Sequence, residues 1–314
     1  LAEIVPARRR GQIIVLVAGI GTGLGFLLTS GLANWTMPHF GWRIMWFYNL
    51  PTGGLLILLN RYIPESPRFL IEDGRVEEAQ EITRRFGATL VPVDTEALES
   101  HHGVGELFRG RFFGLTTALV LYGLGWGAVN FGFLTWLPSE VASHGLSVGQ
   151  VSGILTNASL FSLPGAVAVS WLYGRSTKLA MVVVAVLTAS ALATFVVAGA
   201  GIASHTAAFT ALLVCLLVSL WGVIAVLAPY SAEVYPTRLR ARGAGLAAGA
   251  SKLGGVIALG MGVAGVAPPD LAGAAALTGA AVVVGAVAIG TFGIETRRRR
   301  LEDITASELS AATA

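Results

Sequence analysis

Lys252 is the residue whose type and position most plainly call for chemistry. It lies about ten residues into an apolar stretch, roughly 15 Å along a helix rising 1.5 Å per residue, or about half of a ~30 Å hydrocarbon core. An ammonium at that depth is costly, and such groups usually face a bundle interior or aqueous cavity on a solute or ion path. A cation there suits a carboxylate solute. The competing reading is a lysine that snorkels to the surface or pairs with backbone carbonyls. A second group is Trp126, Asn130, Phe131, Phe133 and Trp136, followed by Pro138, all in one apolar run. Asn130 is expensive to leave against lipid and is expected to point inward, and α-helical spacing puts Trp126 and Phe133 on a similar face. Aromatic walls with one amide make a plausible site for a planar organic solute. Trp136 also fits an interfacial aromatic belt. Asn157 and Trp221, in two further runs, are weaker candidates for the same cavity.

Enzyme chemistry lacks its residues. No carboxylate pair lies in the apolar runs, so general acid and base work there has no agents. Gly260, Gly262 and Gly265 match G-x-G-x-x-G, but without a preceding strand the pattern has no nucleotide-binding meaning. His39, His101, His102, His144 and His205 show no ligand spacing, and Cys215 is the single cysteine. Neither a metal site nor a disulfide framework is expected. No cofactor is implied.

The elements that must position these residues follow from composition. Of 314 residues, 54% are hydrophobic and 12% charged, and the mean hydropathy is +0.71; soluble domains carry about a quarter charged residues. The chain reads as an all-α, multi-pass membrane protein. The net charge of +3 does not indicate nucleic acid, because Lys and Arg cluster in short segments between apolar runs. Spans are expected at residues 12–34, 44–62, 112–135, 150–172, 179–199, 207–229, 241–264 and 272–293, eight in all. Arg8 to Arg10, Arg61 through Arg111, Arg175 with Lys178, Arg238 to Arg242, and Arg297 to Arg300 fall in alternate connections, whereas the opposite ones carry only Arg43. The positive-inside rule makes the Arg-bearing connections, and both ends, cytoplasmic. In the longest connection, residues 63–111, Val76, Ala79, Ile82 and Phe86 recur at helical spacing. Glu81 and Arg85 could pair one turn apart on that short amphipathic helix. The sequence opens on Leu1 without a signal-peptide pattern and is expected to be a fragment.

The connections also carry motifs. Pro64-Glu65-Ser66-Pro67-Arg68-Phe69-Leu70, with Gly74-Arg75 and Glu78-Ala79, resembles the signature that follows the sixth helix of sugar-porter-like members of the major facilitator superfamily. Glu3, Pro6, Arg10 and Gly11 resemble its element before the fifth helix. Glu233-Val234-Tyr235-Pro236-Thr237-Arg238 with Arg242-Gly243 is similar to the element after the tenth, and Glu295-Thr296 with Leu301-Glu302 to the one after the twelfth. Gly174-Arg175 and Lys178 resemble the loop between the eighth and ninth helices, but Trp171, Leu172 and Tyr173 stand where an acidic residue is expected.

The resemblance implies a major facilitator type bundle with eight of twelve helices. Residues 1–62 would end the N-terminal half, 63–111 would form the interdomain linker, 112–293 the C-terminal six-helix half and 294–314 a cytoplasmic tail. It further implies alternating-access transport of a small organic solute at the midplane between two halves; Trp126, Asn130, Phe131, Phe133, Asn157, Trp221 and Lys252, singled out above by residue type and position, are the candidate solute contacts. Glu3, Arg10, Glu65, Arg68, Glu233, Arg238 and Arg242 would form a latch of ion pairs between the halves; positive-inside topology alone would also account for the arginines. The glutamine and tyrosine pairs of sugar porters are missing, which favours an organic or aromatic carboxylate over a sugar or polyol. Proton symport is expected, its titrating carboxylate lying outside these spans; without such a group the protein would be a uniporter. A drug exporter, or an inactive membrane fragment with an interaction role, stands as an alternative.

Overall fold

A computed structural model describes residues 10–86, 104–142, 148–265 and 270–297. The described residues form helices throughout. α1 (Arg10–Phe40) is followed by α2 (Ile44–Phe47), α3 (Asn49–Asn60), α4 (Pro67–Glu72) and α5 (Val76–Arg85). After a short 3-10 turn come α6 (Gly110–Gly127), a π turn (Ala128–Phe133) and α7 (Leu134–Ala142). α8 (Val148–Leu160), α9 (Ser162–Arg175), α10 (Thr177–Ala198), α11 (Thr206–Glu233), α12 (Thr237–Val263) and α13 (Leu271–Phe292) complete the chain.

Six helices are long and apolar enough to cross a membrane, and they include the expected spans at 12–34, 112–135, 179–199, 207–229, 241–264 and 272–293. The other two expected spans depart from single rods. Residues 150–172 become a pair of helices bent by 45°; the bend precedes Pro164, which has no N–H to continue the ladder. Residues 44–62 become α2 and α3, interrupted at Tyr48 and together shorter than a span. Neither α2 nor α3 has a buried residue, and Trp46, Leu50, Leu56 and Ile57 project from them exposed.

α5 is the helix expected in the long connection, and α4 precedes it. Ser66 caps α4 by accepting from the Phe69 N–H at 3.3 Å, and Leu70, Ala79 and Thr83 are buried between the two helices. Glu81 pairs with Arg84 rather than Arg85; Arg85 lies over the Phe86 ring instead. Arg75 grips Glu78 with two bonds of 2.9 and 2.6 Å.

The core is a ring of five helices. α13 packs between α6 and α10, α10 against α11, α11 against α12, and α12 back against α6; α1 lies outside on α8, α9 and α11. Inside the ring, Phe133, Phe195 and Phe209 are fully buried in succession, with ring centroids 5.1 and 6.3 Å apart. α6 and α12 approach so closely that a Cβ on Gly127 would overlap the Ser251 carbonyl oxygen, and one on Gly254 the Leu124 carbonyl oxygen. Small residues permit that approach between apolar helices. The contact fixes α12 against α6 in height and rotation, which sets where the side chain at 252 can reach.

Candidate solute site

On α12, Lys252 follows Ser251 at the seam, and its ammonium reaches across α6. Nζ lies 5.3 Å from the Trp126 ring centroid and 5.1 Å from that of Phe131, within cation–π range. The two rings meet edge to face, 5.7 Å apart at 86°. Trp126 is buried and its indole N–H donates to the Leu220 carbonyl at 3.0 Å, so its polar edge is committed to α11 and its face remains for the cation. Phe131 and Asn130 are half-buried and Lys252 is exposed. Among the described residues the Asn130 amide has no hydrogen-bond partner. Three of the predicted solute contacts, Lys252, Trp126 and Phe131, are thus brought together, and Asn130 neighbours them on the π turn.

The π turn decides which aromatic ring faces Trp126. In an unbroken α-helix at 100° per residue, Phe133 would return to the Trp126 face after seven positions, and Phe131 would lie roughly 140° away. The wider turn takes up an additional residue, bringing Phe131 to Trp126 and turning Phe133 inward. Phe133 is fully buried against Phe195, away from the Lys252 ammonium and its two rings. A Phe133→Leu substitution in this packed position is expected to lower stability by about 1 kcal/mol, read by thermal unfolding in detergent.

Trp221 and Asn157 also stand apart from this cluster. Trp221 is buried on α11, tilted against Phe26 of α1 at 5.0 Å, and lines a small void with Val15, Gly19 and Val169. It serves the packing of α1 on α11. Asn157 is exposed on α8, which packs chiefly against α1, α7, α9 and α11.

At one end of the ring the chain leaving α13 forms a strap. Tyr230 clasps Ile294 on both sides, donating to its carbonyl at 2.8 Å and accepting from its N–H at 2.7 Å. Glu295 accepts from the Ser176 hydroxyl and from the backbone N–H and hydroxyl of Thr177 at 2.9 and 2.7 Å, capping the start of α10. Glu233, at the end of α11, accepts from Tyr173 at 2.9 Å and Thr296 at 2.8 Å. Arg297 donates to the Arg175 carbonyl at 2.7 Å. Of the predicted latch, Glu233 sits in this network, whereas Glu65 and Arg242 are exposed. Arg10, Arg68 and Arg238 begin or lie in helices, their side chains outside the described set, and Glu3 lies outside the described residues. Tyr173, Thr177 and Tyr230 carry no motif of their own in the sequence; the one signal is Tyr173, which stands where an acidic residue is expected.

Burial pushes the Glu295 carboxyl up, but the hydrogen bonds from Ser176, Thr177 and Arg297 prevail and hold it below the ordinary value. A depressed carboxylate stabilises the fold above the unfolded pKa, about 4.3 for glutamate, and that stabilisation is lost as pH falls through the depressed value. Glu295→Gln is therefore expected to lower the melting temperature at neutral pH and to flatten its fall in the acid range, checked by melting curves from pH 7 down to pH 3. Outside the spans, burial also raises the Tyr235 phenol to about 12, and its hydroxyl lies 2.9 Å from that of Thr116.

The profile of the Major Facilitator Superfamily matches residues 1–259. The niacin transporter NiaP of Acinetobacter baylyi is 31% identical over 266 residues, covering 82% of this chain and 59% of the relative. The 4-hydroxybenzoate transporter PcaK of the same organism is 28% identical over 275 residues, covering 81% and 57%. The chain therefore spans a little under three fifths of the length of these curated relatives. In structure it is similar to the proton:xylose symporter XylE bound to 6-bromo-6-deoxy-D-glucose, with a TM-score of 0.71 at 20% identity over 98% of this chain and 69% of that one.

Proposed function

The chain belongs to the major facilitator superfamily, and on that premise we propose that it works in a transporter carrying a small ring-bearing carboxylate across a membrane by alternating access. One observation carries the reading: the Lys252 ammonium, midway along an apolar helix, is held over the faces of Trp126 and Phe131 and is exposed on its other side. The rings stabilise the charge from one side without consuming its N–H donors, which remain for a carboxylate. A flat solute can lie along Phe131, with the Asn130 amide as a further polar contact. Similarity to transporters named for niacin and 4-hydroxybenzoate, both ring carboxylates, supports the same class.

The Arg-bearing connections and both ends of the chain face the cytoplasm in this reading, following the charge distribution along the sequence. Glu3, Arg10, Glu65, Arg68, Glu233, Arg238 and Arg242 act in the latch between the two halves of the transporter, and uptake is coupled to protons. Reconstituted full-length protein is expected to take up labelled nicotinate saturably, faster under an inward proton gradient, with 4-hydroxybenzoate competing and nicotinamide and xylose failing to compete. Competition by xylose without competition by 4-hydroxybenzoate would exclude the carboxylate reading.

A further inference from the structure

Gly255 lies on α12 three residues beyond Lys252, facing the π turn. A methyl group there would stand 2.8 Å from Cβ and 2.9 Å from Cγ of Phe131, closer than carbon atoms approach without displacement. The crowded atoms include the root of the side chain, so rotating the ring tip cannot relieve the overlap. The Phe131 ring thus occupies space that exists because position 255 has no side chain, and from that seat it meets both Trp126 and the Lys252 ammonium.

We propose that Gly255 is a specificity-determining positioning residue, whose missing side chain seats the Phe131 ring against Lys252 and so sets the width and cation geometry of the solute site. The assignment rests on the carboxylate reading only for its transport consequence. Alanine at 255 pushes the ring out of its seat toward the solute space, and the ammonium loses one of its two aromatic faces. Gly249, on the same helix, has nothing within 4 Å of where its Cβ would be, and Gly249→Ala therefore serves as a control for helix propensity alone.

Two measurements on the full-length protein test this. In the first, reductive 13C-methylation reports on Lys252, assigned by its loss in Lys252→Arg; Lys178 is the other lysine of this chain. The Lys252 methyl signal is expected upfield of that of a solvent-exposed lysine, because two ring faces shield it. It should move downfield in Gly255→Ala and in Phe131→Leu, and stay in place in Gly249→Ala. In the second, nicotinate uptake by Gly255→Ala is expected to show KM raised about tenfold, the lower end for a methylene-sized change in a ligand pocket, with kcat and protein abundance unchanged. The Gly255→Ala/Phe131→Leu double variant should have the same KM as Phe131→Leu alone, because the smaller side chain no longer collides. A Lys252 signal that stays put in Gly255→Ala overturns the proposal. So does a KM defect equally large in the Phe131→Leu background. Failure of the carboxylate reading looks different: Lys252→Met leaves nicotinate uptake unchanged while the methyl signal still answers to Gly255→Ala, which upholds the seat.

Discussion

Lys252→Met is expected to lower kcat/KM for nicotinate about 100-fold while leaving the melting temperature of the detergent-solubilised protein within a degree or two of the parent. The magnitude follows from the loss of hydrogen bonds from a charged donor to the solute, about 1.5–3 kcal/mol, at 1.4 kcal/mol per tenfold change. Methionine keeps the length and much of the apolar stem of lysine, so the packing over Trp126 and Phe131 is retained. Lys252→Arg should recover part of the rate, since the charge persists but the planar guanidinium presents its donors in a different geometry. If the lysine only carries its charge to the surface along an apolar helix, methionine there is silent in transport. Initial uptake rates over a range of nicotinate concentrations separate these outcomes.

Gly254→Ala and Gly127→Ala should be the most damaging single-methyl substitutions in the fold. At both positions the new atom meets a backbone carbonyl of the facing helix, which no change of side-chain rotamer can relieve. Overpacking typically costs about 1–3 kcal/mol, and here α6 and α12 must separate along their contact. A loss of 3 kcal/mol corresponds to roughly 6–12 °C in melting temperature for a domain of 150–250 residues. Gly245→Ala and Gly249→Ala, which point into open space on α12, should change it little. Size-exclusion profiles and melting curves of the four variants measure this directly. Equal behaviour of the two pairs would show that the helices are not held at this seam.

Much of the fold is legible in the sequence because hydropathy and charge act over whole segments. The long apolar runs that became α10, α11 and α13 need no fine register to be recognised, and Ser66-Pro67 marks the start of α4 through the capping chemistry of serine followed by proline at the first helical position. The site was legible only in part. Lys252 stands out since a single charge in an apolar run is rare, and Trp126 and Asn130 stand out by residue type. Their arrangement depends on rotation about the helix axis, and one π turn is enough to move Phe131 onto the Trp126 face and Phe133 off it. Nothing in Ala128–Phe133 announces that turn by composition; it arises where α6 meets α12 and α13 at very short range. Trp221 is a related case, an aromatic residue with a polar handle that the packing of α1 on α11 claims for itself. The strap shows the limit for polar groups: Glu295 and Thr296 could be recognised as a motif, but their partners Ser176, Thr177 and Tyr230 are ordinary residues until the chain brings them within reach.

The double confinement of α6 has a mechanical consequence. Gly127 and Gly123 abut the backbone of α12, and Gly125 that of α13, so this helix has almost no freedom to roll or slide by itself. Force applied to one end of it is passed sideways into its neighbours instead of being absorbed by a change in local shape. The aromatic and cationic groups at its middle would then travel with the ring as passengers on a stiff plate, keeping their mutual spacing as the plate tilts.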